Sequence, residues 1–383
     1  MKTIRFGVIG VGGMGQAHCR SLQQIAEVQL TAVADADPAV AERVGREFGV
    51  PAFAGAPLAL IRSGLCDAVL VATPHPVRPP IVLAAMQAGL HVLSEKPLAE
   101  TVSAADRMLR AARRAGVAFG IMFQRRTEPA FVAAVEIVRS GRLGRIHRTA
   151  LISPEYRSQA YYNSAGWRAT WRGEGGGVLM NQAPHILDLF LLLGGRPVQV
   201  LGRTETRLHQ IEVEDLAEAL LTYADGGTGY LYCSTNEPPP GQMIELFGDK
   251  GKLTYRDGKL TLVTYEPAVE EFTRTNTEMW AAPKVLEQPV PLPDVPSGHA
   301  VIIRNFARHI LFKEPLIAPA EEGLWSLELA NAIWLSAHLK APVKLPISRR
   351  AYDRFLAVKR RRFTGRKRVA EQRMTDPRFG GQA

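Results

Sequence analysis

Three short segments of this chain carry side chains whose types and spacing could do chemistry. "GVGGMG" puts Gly10, Gly12 and Gly15 in a G-x-G-x-x-G register, with Gly13 and Met14 inside it. In that register the first glycine permits a tight turn, the second lets a pyrophosphate approach the backbone, and the third lets a helix pack on a strand. The helix start then offers free N–H groups and a positive dipole end to an anion. Asp35 follows near the expected spacing; a carboxylate there accepts from a ribose 2′-hydroxyl and repels a 2′-phosphate, which favours NAD over NADP. The competing role, capping the helix begun by Pro38, suits Asp37 better. The second segment, "HVLSEKPLAE", sets Glu95 and Lys96 before Pro97. At the carboxyl end of a parallel strand such charges lie where ligands bind; elsewhere they would be a surface pair. In the third, "GEGGGVLMNQAPHILDLF", a glycine arm enters an amphipathic helix, with Asn181, His185 and Asp188 on one face and Leu179, Ile186 and Phe190 on another. A histidine so placed is either a packed structural residue or a proton carrier titrating near ~6.5.

These groups need a scaffold. Over the first ~120 residues, β-rich runs alternate with helical segments, the pattern of a parallel sheet covered by helices. The runs "IRFGVIG", "LTAVAD", "CDAVLVAT", "HVLSEK" and "VAFGIMF" predict strands, with helices from about Met14, over Pro80 to Ala88 and over Ser103 to Ala115. From Pro197 to Tyr265, strand-like runs separated by Asp-Gly and Gly-Asp turns predict a mostly antiparallel sheet. A less regular proline-rich stretch, Glu266 to Pro296, precedes helices at about His299 to Phe312 and Pro319 to Leu339.

At 383 residues the chain suits two domains, and 46% hydrophobic with 22% charged residues is a globular balance. No apolar run reaches the ~20 residues of a membrane helix. The opening "MKTIRFGVIG" lacks a leader pattern, so a cytoplasmic location is expected. Cys19, Cys66 and Cys233 form no metal-ligand spacing, and no metal is expected. The net charge of +10 resides mostly in residues 349 to 373, where eleven Lys or Arg face only Asp353 and Glu371. A solvated, partly helical tail accounts for this better than a nucleic-acid site. The expected division is therefore 1–122, 123–348 and a basic tail, 349–383.

Taken with the joining "ATPHPVRPP", "GVIGVGGMG" and "SEKP" make the chain resemble the Gfo/Idh/MocA family of NAD(P)-dependent sugar and polyol dehydrogenases. "MFQRRTEP" and a glycine-rich G-G-G-x-L-x-D-x-x-x-H-x-x-D pattern extend the likeness. The resemblance implies an N-terminal Rossmann domain and a C-terminal α/β domain. The second domain's large open sheet often forms the oligomer contact, which implies a homodimer or homotetramer. Carried over by position, Lys96 is the family's catalytic lysine and His185 its acid/base. Thr73, Pro74, His75, Glu95, Lys96 and Gln124 join Gly10, Gly12, Gly13, Met14, Gly15 and Asp35 around the cofactor. Two positions depart from the pattern. Asn181 replaces the family's aspartate and cannot take up a proton, and Arg78 stands where a histidine is often found.

Oxidising a secondary alcohol sends a hydride to the nicotinamide and needs a base for the hydroxyl proton, with a cation beside the developing oxyanion. His185 and Lys96 suit those tasks, Asn181 would position the sugar, and Asp188 would anchor its helix. The interdomain segment "SPEYRSQAYYNSAGWRATWRGEGGG" clusters Tyr161, Tyr162, Trp167 and Trp171. Aromatic platforms with polar neighbours fit a sugar or cyclic polyol, so Tyr161, Trp167, Arg168 and Arg126 are added to the substrate side; Trp171 suits a packing role. Two other readings stay open: a keto-sugar-forming enzyme that recycles NAD during elimination or epimerisation, and a non-enzymatic sugar or NAD sensor.

Overall fold

The computed structural model describes residues 2–363 together with Val369 and Ala370. The first half forms a six-stranded parallel sheet from β1 (Ile4–Ile9), β2 (Val28–Asp35), β3 (Ala52–Ala54), β4 (Ala68–Val71), β5 (His91–Ser94) and β6 (Phe119–Ile121). The spatial order is β3-β2-β1-β4-β5-β6, so the strand order reverses between β1 and β4. β4 and β6 are buried throughout, as strands covered on both faces must be. The five expected strands are present; β3, three residues long and only partly buried, offered no periodicity to detect. Asp37 caps Pro38–Phe48 by accepting from Ala39 N at 3.1 Å, which leaves Asp35 for other work.

The second sheet has nine strands: β7 (Ile146–Pro154), β8 (Gln199–Glu205), β9 (Leu216–Thr222), β10 (Thr228–Ser234), β11 (Met243–Gly248), β12 (Gly251–Arg256), β13 (Lys259–Glu266), β14 (Lys284–Pro289) and β15 (Val343–Lys344). Their order is β14-β13-β12-β11-β7-β10-β9-β8-β15. β7 and β10 run parallel, whereas hairpin neighbours such as β8 with β9 and β11 with β12 are antiparallel. The stretch from Glu266 to Pro296 is more regular than expected. It holds the helix Val269–Thr275 and the edge strand β14, whose residues are all exposed and so show no alternation of apolar and polar positions.

One helix, Ala320–Leu339, joins the two sheets. Gly323 packs near Ile121 and Leu98 on the parallel sheet's side, and Ile333 meets Gly202 of β8. The buried side chain of Asn331 accepts from Val102 N at 3.2 Å, fixing this helix to the first domain.

The expected solvated tail needs correction. Arg349–Arg362 is a helix whose Tyr352, Phe355 and Leu356 are buried. Its Arg360 bonds to Trp171 O and the Glu100 carboxylate, while Arg172 donates to Arg360 O. The apolar residues between the arginines recur at helical spacing, so one face of this stretch, helical as expected, packs on the core while most of its arginines stay exposed. The remainder of the expected tail, apart from Phe363, Val369 and Ala370, lies outside the described residues. Among the described residues no helix is long and apolar enough to cross a membrane.

Candidate active site

At the carboxyl end of β1, Gly10 turns the chain with φ +88, and a Cβ there would meet the Ala72 backbone at 2.9 Å. The helix Gly13–Gln23 begins at once, with Gly12 as N-cap and no side chain bonded to that cap. A Cβ on Gly15 would stand 2.0 Å from Gly10 O, whereas one on Gly12 would have nothing within 4 Å. The turn is therefore closed behind and open in front, with free helix N–H groups, as a pyrophosphate requires. Asp35 ends β2 and accepts from Val11 N at 2.8 Å and Asp37 N at 3.0 Å, holding its carboxylate beside the glycine turn. Thr73, Pro74 and His75 follow β4, and Gln124 begins the turn after β6. Among the described residues Thr73 Oγ1 and Gln124 Oε1 are buried polar atoms without a partner. Buried polar groups are otherwise nearly always paired, so these residues and the open glycine turn fit a dinucleotide with polar edges.

Glu95 and Lys96 directly follow β5, and neither belongs to a surface pair. Glu95 bonds the buried His18 ring at 2.8 Å and accepts from Lys96 N at 3.0 Å. Burial works against its charge, yet the bond and charge of His18 hold the carboxyl well below its ordinary range. Burial lowers the Lys96 ammonium from its usual value, with the Glu95 charge opposing that fall. Lys96 Nζ donates to Asn181 O at 2.9 Å, so the amine reaches from the parallel sheet to the segment that carries His185. Arg78 explains its own departure from the family pattern: buried, it donates to the carbonyls of Thr73, Glu95 and Pro97, tying the ends of β4 and β5 together. It is scaffold beneath the site. His75, also buried, bonds Glu174 O through Nδ1 at 3.0 Å, and burial followed by the Arg78 charge lowers it to about 3.

The helix expected after the glycine arm, running through Asn181 and His185 to Phe190, is broken. Val178–Asn181 makes one turn, and Pro184–Gly194 starts afresh because Pro184 suits a first helical position and cannot continue the preceding helix. The break separates the three polar side chains expected on one face. His185 lies 3.5 Å from Gln124 through Nε2, with its Nδ1 buried and unpartnered among the described residues. Burial and then the Lys96 charge push the imidazole well below its ordinary value, so it is neutral at neutral pH. Asp188 points elsewhere, into Arg126, at 2.6 and 2.7 Å.

That pairing overturns the substrate role expected for Arg126. Its guanidinium is buried and held by Asp188, Ile317 O and Glu322. A buried arginine with two carboxylates is an anchor. Tyr161, Trp167 and Arg168 do assemble: Arg168 stacks 4.4 Å over the Tyr161 ring and 4.7 Å over Trp167, and donates to Tyr161 Oη at 2.7 Å. Tyr161 Oη also receives Asn181 Nδ2 and Gln182 Nε2, linking this aromatic group to the His185 segment. Trp171 is buried against Trp334 and Phe355, the packing role expected. His18 and Glu174 escaped sequence reasoning. His18 lies on an ordinary helix, and Glu174 lies in the glycine arm, where no periodicity marks its contact with Asn181.

A parallel sheet with a glycine turn at the point where its strand order reverses, whose Lys96 reaches the segment that carries His185, is the arrangement of a nicotinamide-dependent oxidoreductase. The chain belongs to the Gfo/Idh/MocA family: residues 4–123 match its oxidoreductase family, NAD-binding Rossmann fold, and 131–254 match the GFO/IDH/MocA C-terminal domain. Myo-inositol 2-dehydrogenase of Thermotoga maritima is 25% identical over 350 residues, covering 89% of this chain and 98% of that protein. Inositol 2-dehydrogenase of Rubrobacter xylanophilus is 37% identical over 170 residues, 41% of this chain and 48% of that one. The WlbA dehydrogenase from Bordetella pertussis, solved in complex with NADH and UDP-GlcNAcA, superposes with a TM-score of 0.77 at 28% identity, covering 91% of this chain and 100% of that chain. The protein is an oxidoreductase whose cofactor is NAD.

Proposed function

We propose that the protein oxidises a secondary hydroxyl of a sugar, sugar derivative or cyclic polyol, with His185 as acid/base and Lys96 as the cation at the oxygen. The observation that carries this reading is the meeting of Lys96, from the end of β5, with the Asn181–His185 segment of the other half. NAD, when bound, accepts the hydride. The neutral His185 ring takes the hydroxyl proton. The Lys96 ammonium donates to the substrate oxygen and stabilises negative charge there. Tyr161, Trp167 and Arg168 offer apolar and polar surface to the rest of the sugar. The names of the relatives, two inositol dehydrogenases and an enzyme solved with UDP-GlcNAcA, support a polyhydroxylated ring as substrate. Self-association is part of the reading: Leu201, Leu220 and Tyr230 are opposed across β8, β9 and β10 and exposed together.

The test is NAD reduction across inositols, free hexoses, anhydrosugars, glycosides and nucleotide sugars. With the substrate so found, His185→Ala and Lys96→Ala are expected to lower turnover by about 10²–10⁴-fold. Unchanged turnover in His185→Ala would remove that residue as the base.

A further inference from the structure

Asn181 occupies the family's aspartate position, and the structure sets another carboxyl against it. Glu174, on the glycine arm, is 1% exposed. Its Oε2 accepts from Ala169 N at 2.6 Å, and its Oε1 accepts from Asn181 Nδ2. Burial raises this carboxyl above its ordinary value, while the Ala169 N–H and the Arg168 charge restrain the rise. A carboxylate has no hydrogen to donate, so the amide beside it must present its amino group. The same amino group also reaches Tyr161 Oη at 3.3 Å. The Asn181 side-chain oxygen is thereby turned away from both, and among the described residues nothing donates to it. The backbone carbonyl of the same residue receives Lys96 Nζ, so this amide lies beside the proposed reacting centre.

We infer that Glu174 is a positioning residue: it locks the Asn181 amide so that Oδ1 faces the cleft as an acceptor for a substrate hydroxyl neighbouring the one that reacts. The inference rests on the sugar-oxidising reading above and deepens it. The buried carboxyl in this part of the site stands behind position 181. The substrate then meets a neutral acceptor, where an aspartate would have presented a charge. Selectivity follows for rings that carry a second hydroxyl adjacent to the reacting carbon, because a deoxy analogue would leave the acceptor unmatched.

Glu174→Gln reverses the arrangement. The Ala169 N–H still demands an oxygen, so the new amide must turn its NH₂ toward Asn181. Asn181 can then satisfy it only by flipping, which shows a donor to the cleft. Asn181→Asp alone sets a second carboxyl against the buried Glu174, which favours a proton shared between them. Combining Glu174→Gln with Asn181→Asp restores a donor–acceptor pair and an oxygen toward the cleft.

The expected kinetics are a rise in KM of about tenfold or more for each single variant, with the smaller change in kcat for Glu174→Gln, and a partial recovery of KM in the double variant, whose acceptor oxygen is restored but charged. A second measurement is independent of turnover: the side-chain ¹⁵N–¹H₂ resonances of Asn181 in the wild type, assigned by their loss in Asn181→Asp. One proton is expected far downfield and protected from exchange, the mark of a bond to a carboxylate. A wild-type KM in Glu174→Gln, a double variant no better than the singles, or ordinary exchanging amide protons would each overturn the inference. If no sugar or polyol is oxidised by the wild type, the functional reading fails, and the amide resonances still decide whether Glu174 holds Asn181.

Discussion

Gly12 and Gly15 are three residues apart on the same turn, yet the structure assigns them opposite consequences. Gly12 has φ −64 and ψ −161, a conformation open to alanine, and a Cβ there meets no protein atom within 4 Å. Gly12→Ala is therefore expected to leave the stability of the cofactor-free protein within about 1 kcal/mol, a small entropic gain offsetting a poorer cap. Its methyl group projects into the space a pyrophosphate needs, and a tenfold loss of NADH affinity corresponds to about 1.4 kcal/mol. At an NADH concentration 100 times the wild-type Kd, ligand binding stabilises the wild type by about 2.7 kcal/mol; a tenfold weaker variant gains only about 1.4 kcal/mol. Gly15→Ala behaves differently, because its Cβ would lie 2.0 Å from Gly10 O, a backbone atom that cannot step aside. The helix must shift, at a cost of about 1–3 kcal/mol or more even without cofactor. Urea unfolding of both variants, with and without NADH, separates the two effects. A Gly12→Ala protein that is strongly destabilised alone, or that retains the full NADH-dependent gain, would refute the reasoning.

Arg126→Met is expected to destabilise by about 3–5 kcal/mol, since it strands the buried Asp188 carboxylate, and to leave the sugar KM unchanged in the folded fraction. A raised KM without a shift in the urea midpoint would return Arg126 to the substrate side. Because His185 must be neutral to accept a proton and its pKa is well below 6.5, the acid limb of kcat/KM for oxidation should lie below that value and vanish in His185→Ala activity. An acid limb at or above 6.5 would contradict the burial of the ring. His75, lowered to about 3, takes no proton in the folded state until far below the pH at which the unfolded chain binds one. Its contribution to stability is complete above ~6.5 and falls as pH drops, by about 2 kcal/mol at pH 5. His75→Asn should flatten that acid slope, as measured by denaturation at pH 7 and 5. Ending the chain before Arg349 removes Tyr352 and Phe355 from the core, each worth about 1.5–3 kcal/mol. A truncated protein with the full-length unfolding midpoint would show that the helix is not part of the fold.

Much of the molecule is local in origin and was legible as such. The glycine register, the strand before it and the helix after it are contiguous in sequence, so their geometry follows from backbone conformation and hydrophobic period alone. Asp37 as a cap and Trp171 as packing were readable for the same reason. The mostly antiparallel second sheet was readable from its turns, whereas β3 and the exposed edge strand β14 carry no alternation and were not.

What lay beyond the sequence is what depends on partners distant along the chain. Nothing near Arg126 indicates that Asp188 and Glu322 will enclose it, and nothing near Arg78 indicates that three carbonyls from the ends of two strands will converge on it. A residue's type determines which bonds it can form; only the packing of the two sheets decides which partners arrive and how much water remains. By itself the sequence determined a nucleotide-binding turn, two sheets, and a lysine and a histidine of suitable chemistry. Tertiary structure decided that the lysine reaches the histidine's segment, that Arg126 is withdrawn from it, and that Glu174 rather than residue 181 supplies the buried carboxyl. Desolvation and charge pairing act through space, and the chain reaches that arrangement only once it has folded.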